Sequence, residues 1–222
     1  MIVADRKPLN EIIDKIARHK KVLVAGCATC VAECRSGGEK ETELLASQLR
    51  IAFNEKKAGV EITECCIERQ CEPELIEKCA DKFVGIDAVL SLACGVGVQQ
   101  MSERLLGMPV YPGLNTMFMG THASPGTWEE RCAGCGNCIL DKTGGICPIA
   151  RCSKSLLNGP CGGTRKEGKC EISEDIPCAW ALIVERMMSL NRMAELEDII
   201  PSKDWTSARD GGPRTLTREE LA

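Results

Sequence analysis

Sixteen of the 222 residues are cysteine, and they fall into two groups, eight between Cys27 and Cys94 and eight between Cys132 and Cys178. A secreted disulfide scaffold and a thiolate-ligated metal protein are the two broad explanations of such a count. The opening stretch MIVADRKPLNEIIDK carries charge throughout and lacks the apolar core of a signal peptide. Disulfide-dense domains are usually under about 80 residues, because their cross-links replace a missing core. This chain is 44% hydrophobic and long enough to bury a core without staples. The expectation is therefore a cytoplasmic protein that holds metal through sulfur.

Charge and aromatic content narrow the partners. Twenty-eight Lys and Arg against 32 Asp and Glu leave a net charge of −4, which is no footprint for a polyanion. Aromatic residues make up 3%, too few for the stacking platforms of single-strand binders, so no nucleic acid is expected. No apolar stretch approaches the roughly 18 residues of a membrane span. Two histidines, His19 and His122, cannot build a His-rich hydrolytic metal site.

Up to about residue 123 the chain alternates strand and helix signals. Helices are predicted over 8–19, 37–56 and 72–83, with a further one starting near Val98. Strands are predicted at KKVLVAGC, VEITECC, GIDAVLSLAC and MPVYPG. Leu44, Leu45, Leu49 and Ile51 are read as the apolar stripe of the second helix. Short turns between the elements argue for a small parallel, Rossmann-like α/β sheet. From Arg131 to Cys178 the sequence is Gly- and Cys-rich without periodicity, and residues 177–200 read as a helix opened by Pro177. The expected organisation is an α/β domain over 1–125, a Cys-rich ferredoxin- or zinc-ribbon-like domain with a terminal helix over 126–200, and an extended tail over 201–222. The tail is polar, either disordered or laid across a partner.

Cys132, Cys135, Cys138, Cys147, Cys152, Cys161, Cys170 and Cys178 match in number the ligands of two 4Fe–4S clusters. The run Cys132-x2-Cys135-x2-Cys138, with Cys147-Pro148 behind it, resembles the bacterial ferredoxin pattern, but eight residues replace three before the last cysteine. In ferredoxins the cysteine before proline serves the other cluster. That logic groups Cys147 with Cys152, Cys161 or Cys170 and lets Cys178 complete the first set. Zinc stays open at one or more of these sites, since repeated CxxC pairs also make ribbons.

The N-terminal group follows the strand ends. Cys27, Cys65/Cys66 and Cys94 each close a predicted strand, and the carboxyl edge of a parallel sheet is where open α/β folds bind ligands. Four of Cys27, Cys30, Cys34, Cys71 and Cys94 would serve a third cluster, while Cys65 and Cys79 suit burial as small hydrophobes. Gly95-Val-Gly97 lacks the third glycine of a dinucleotide loop and reads as an ordinary turn. No nucleophile–base–acid arrangement emerges.

Four strings, Cys27-Ala-Thr-Cys30-x3-Cys34-x2-Gly37-Gly38-Glu39-Lys40-Glu41, Glu68-Arg69-Gln70-Cys71-Glu72, Ala93-Cys94-Gly95-Val96-Gly97-Val98-Gln99 and Asn158-Gly159-Pro160-Cys161-Gly162-Gly163, occur in order. They resemble the small iron–sulfur subunit (MetV type) of methylenetetrahydrofolate reductase from acetogens and related anaerobes. The resemblance covers nearly the whole chain. It implies a separate catalytic partner, a flavin-bearing (β/α)8 barrel that reduces 5,10-methylenetetrahydrofolate to 5-methyltetrahydrofolate. The roughly 120 residues of α/β pattern cannot supply that barrel. On this resemblance the chain relays electrons to or from the partner's flavin through its clusters, with ferredoxin or another electron-transfer subunit as the outside donor. The alternative from the same residues is a zinc-binding adaptor of that complex without a redox role.

Overall fold

Lys21–Cys27 is apolar after its first residue and buried from Val22 onward, as a strand covered on both faces must be. In the computed structural model, which describes residues 1–221, this strand lies at the centre of a parallel sheet. The elements run β1 (Ile2–Arg6), α1 (Leu9–Ile16), β2 (Lys21–Cys27), α2 (Cys30–Glu33), α3 (Glu39–Glu55), β3 (Glu61–Ile67), α4 (Pro73–Glu77), β4 (Ala88–Leu92), α5 (Gly95–Arg104), β5 (Val110–Pro112), β6 (Leu114–Ser124) and β7 (Thr127–Cys132). Two short helices follow, α6 (Pro148–Arg151) and α7 (Ala179–Ser189). The chain divides into two compact units, the first from Met1 to Trp128 and the second starting at Glu129.

In the first unit the parallel sheet is ordered β3-β2-β4-β5. The expected parallel α/β sheet is therefore present. Alternate residues of β2 face opposite layers. Val22 and Val24 pack with α1 and α3 through Ile12, Ile16, Leu45, Leu49 and Phe53. Leu23 and Ala25 pack with α4 and α5 through Ile76 and Met101. Chain order reverses between β2 and β4, so the crevice for a ligand falls outside the carboxyl ends of those two strands.

Two corrections to the sequence reading concern this unit. The buried stripe of α3 is Thr42, Leu45, Ala46, Leu49 and Phe53, whereas Leu44 and Ile51 are exposed. A second sheet, ordered β1-β6-β7, was not anticipated. In it β1 pairs antiparallel with β6, and the register slips between Val3 and Ala4, which marks a bulge.

The second unit has little regular structure. Its small core gathers Trp180, Ile183 and Met187 of α7 with Ile146, Leu156 and Leu196 around them. The Trp180 indole N–H donates to Leu156 O at 2.9 Å. Helix α7 ends at Ser189, short of the predicted 200, and a 3-10 turn over Met193–Glu197 follows. Among the described residues no helix is long and apolar enough to cross a membrane.

Candidate metal centres

At the sheet edge, Cys27 is the last residue of β2 and Cys94 is the N-cap of α5, directly beyond β4. The two thiols thus flank the crevice where strand order reverses. Cys71 sits in the turn between β3 and α4. Its thiol is pushed up by partial burial first, and then by the Cys27 and Cys94 thiols. Cys30 opens α2, half-buried. Cys66, on β3 beside Gly26, is a fourth neighbour; burial and the Cys27 thiol push it up to about 11.

Cys34 stands apart from that group. It is buried at the end of α2, and its sulfur accepts the Ala4 N–H at 3.5 Å and donates to Ala4 O at 3.6 Å. Ser36 Oγ lies 3.1 Å away. Cys34 therefore packs against the edge strand β1, opposite the bulge that Met117 makes in β6, and occupies both polar groups of Ala4. Cys65 and Cys79 are on the opposite face of the sheet, against the α4–α5 layer, and burial pushes Cys65 up to about 12.

A residue that the sequence shows only inside a family-like string, with no role of its own, holds the crevice together. Gln70 is fully buried; its side-chain amide donates to Ala25 O at 2.9 Å and Gly26 O at 2.8 Å, and its carbonyl accepts Ser91 Oγ at 2.6 Å. One side chain thereby ties the ends of β2 and β4 to the turn that carries Cys71. Gly97 is required beside it, because a Cβ there would stand 3.0 Å from Gln70 Cβ and 2.8 Å from Ala93 Cβ. The Gly95 N–H is already taken by Thr116 Oγ1 at 2.8 Å. The Gly-Val-Gly stretch thus serves packing.

In the second unit four cysteines, Cys152, Cys161, Cys170 and Cys178, line one cavity together with Ser153, Lys154, Thr164 and Glu171. Each sulfur but that of Cys152 has a polar neighbour. Gly163 N–H donates to Cys161 Sγ at 3.4 Å, Ser153 Oγ lies 3.7 Å from Cys170 Sγ, and Thr164 Oγ1 lies 3.2 Å from Cys178 Sγ. The Ile172 N–H first, and then the Ser153 hydroxyl, hold the Cys170 thiol below its usual range and so favour the thiolate. Glu171 is neutralised by an ion pair with Lys154. A Cβ at Gly163 would fall on the Glu171 carboxylate, so a side chain there would displace Glu171. Asn158, from the same NGPCGG string, exchanges two hydrogen bonds with the Ile200 backbone, at 2.8 and 2.7 Å.

This partition differs from the ferredoxin-derived grouping, because Cys178 shares its cavity with Cys152, Cys161 and Cys170. Cys132 ends β7, and Cys135 and Cys138 follow in a glycine-rich loop, where Gly134 N–H donates to Cys132 Sγ at 3.4 Å. Cys147 caps α6 and accepts the Ala150 N–H at 3.5 Å. Among the described residues no three His, Cys, Asp or Glu side chains surround one point closely enough to hold a single metal ion. The donors are nevertheless sulfur with N–H and O–H groups directed at them, a set that suits thiophilic metals and iron–sulfur groups.

Residues 111–206 match the family model described as Methylene-tetrahydrofolate reductase C terminal. The matched stretch spans less than half of the chain. It includes all eight C-terminal cysteines and α7, and it stops one residue before Ser207. No curated protein matches the chain, and no solved structure does either.

Proposed function

We propose that this chain is an electron-carrying accessory subunit of a methylenetetrahydrofolate reductase, working beside a separate flavin-bearing barrel that does the folate chemistry. The observation that carries this reading is the convergence of Cys152, Cys161, Cys170 and Cys178 on one cavity inside the stretch that matches the reductase family. A 4Fe–4S group, when bound, supplies one-electron chemistry whose potential follows burial and hydrogen bonds to its sulfurs. The chain's own residues would set those terms. Cys152, Cys161, Cys170 and Cys178 would hold one such group, with Gly163 N–H, Thr164 and Ser153 directed at sulfur. Cys132, Cys135, Cys138 and Cys147 make the second set, with Gly134 and Ala150 N–H groups donating to it. Cys27, Cys71 and Cys94, with Cys30 at the start of α2, make the third set.

Purification without air, followed by iron, sulfide and zinc analysis, tests the proposal. The expected result is roughly 8–12 iron with equal sulfide per chain and a reducible paramagnetic centre. Zinc without iron would replace the relay with the structural adaptor.

A further inference from the structure

Residues 203–214 cross the loop that carries Cys132, Cys135 and Cys138. The Ser207 hydroxyl donates to Cys135 O at 3.0 Å. One Arg214 nitrogen donates to Gly134 O at 2.9 Å and to Ser207 O at 2.8 Å. Gly136 has φ +80°, and a Cβ there would fall on the Ser207 carbonyl oxygen, so the two backbones touch at a position only glycine allows. Ala208 is buried, at 5% exposure. The segment is itself shaped by Asp204, whose carboxylate accepts both the N–H and the hydroxyl of Thr206, at 2.9 and 2.6 Å. Lys203 Nζ is buried without a hydrogen-bond partner among the described residues and lies over the Trp205 ring.

We propose that this segment is a strap in which Ser207 and Arg214 are positioning residues for the Cys132–Cys138 loop and shield whatever its thiols hold. A trans peptide sets N–H opposite C=O. Fixing the carbonyls of Gly134 and Cys135 toward the strap turns the N–H groups of Cys135 and Gly136 away from it. Arg214 also brings a cation to a loop that would be anionic when its thiolates hold a metal. The inference deepens the proposed function, since it takes these three cysteines as ligands.

The test uses the full chain as purified without air, challenged with EDTA and iodoacetamide, with alkylation followed at each cysteine by peptide mass spectrometry. In the Ser207→Ala/Arg214→Ala chain, loss of the Ser207 hydroxyl bonds to Cys135 O and Asp204 O and of the two Arg214 bonds should speed alkylation at Cys132, Cys135 and Cys138 roughly tenfold. Cys152, Cys161 and Cys170 should keep their rate. Gly136→Ala should reproduce the effect from the other side of the contact. Rates unchanged at the three loop cysteines overturn the strap, as does equal acceleration at all of them and at Cys152, Cys161 and Cys170. The readout exists whether the chain carries iron, zinc or neither. A positive result in a metal-free preparation would thus keep the strap and remove the relay.

Discussion

Gln70 Oε1 accepts the Ser91 hydroxyl at 2.6 Å, with both residues fully buried beneath the crevice between β2 and β4. The same Gln70 amide caps the carbonyls of Ala25 and Gly26. A buried polar network of this kind is worth having only when every member is satisfied. Gln70→Leu removes three hydrogen bonds and strands Ser91. Its expected cost is about 3 kcal/mol in urea unfolding of the full chain. Ser91→Ala removes one bond and should cost less than half of that. Equal stability for Gln70→Leu and the parent would mean the network contributes nothing.

Gly26 tests the same region through sterics. A Cβ there would meet Thr42 Oγ1, Cys66 Sγ at 3.0 Å and Gly37 O at 3.1 Å. Gly26→Ala should destabilise by about 2 kcal/mol, the usual penalty of overpacking. Thr42→Ala in the same chain removes the nearest obstacle, although it gives up the Thr42 Oγ1 bond to Gly38 O at 2.7 Å. The double variant should therefore cost less than the sum of the singles, a coupling that a double-mutant cycle reads directly.

Much of the first unit was legible because its strands are buried on both faces. Apolar runs such as VLVAG, and AVLSL with its single Ser91, read as covered strands or helices, and their lengths decide for strands. The strands β6 and β7 stayed hidden for the opposite reason. Only Leu114 of their residues is buried, so no alternation marks them. Cys34 shows where spacing misleads. Cys27-x2-Cys30-x3-Cys34 has ligand-like intervals, but the pairing of β1, thirty residues upstream, claims the last thiol. Gln70 stood inside a family-like string without a legible role, since a buried glutamine is recognisable only once three carboxyl-edge segments are brought together. In the second unit the cysteines announced their chemistry by number and glycine context. Their partition did not follow, because irregular loops have no period from which to read which sulfurs face one another.

Asp87 ties the start of β2 through two backbone bonds, from Lys20 N–H at 3.0 Å and Lys21 N–H at 2.8 Å. Those bonds, that of Lys21 foremost, hold its carboxyl below the ordinary 3.8. A carboxylate with a depressed folded value stabilises the native state above its unfolded value. That contribution is lost as the pH falls through the folded value. Asp87→Asn should therefore flatten the decline of urea midpoints below about pH 4 and lower the midpoint near neutrality. A decline as steep as the parent's would show that Asp87 is not one of the groups responsible.

Cys34 and Cys161 give opposite expectations for one measurement, and so separate packing thiols from ligands. Cys161 lines the four-cysteine cavity and receives the Gly163 N–H, whereas Cys34 has its sulfur occupied by Ala4 and Ser36. Cys161→Ser should lower iron in the air-free protein by about four per chain, one cluster's share. Cys34→Ser should leave the metal content unchanged and cost about 1 kcal/mol, because a shorter hydroxyl reaches Ala4 of β1 less well than the thiol. Loss of iron in Cys34→Ser would return that residue to the ligand set and move the third centre from the β2–β4 crevice toward β1. Retention of full iron in Cys161→Ser would instead break the link between the cavity and any cluster, and with it the strongest support for the relay.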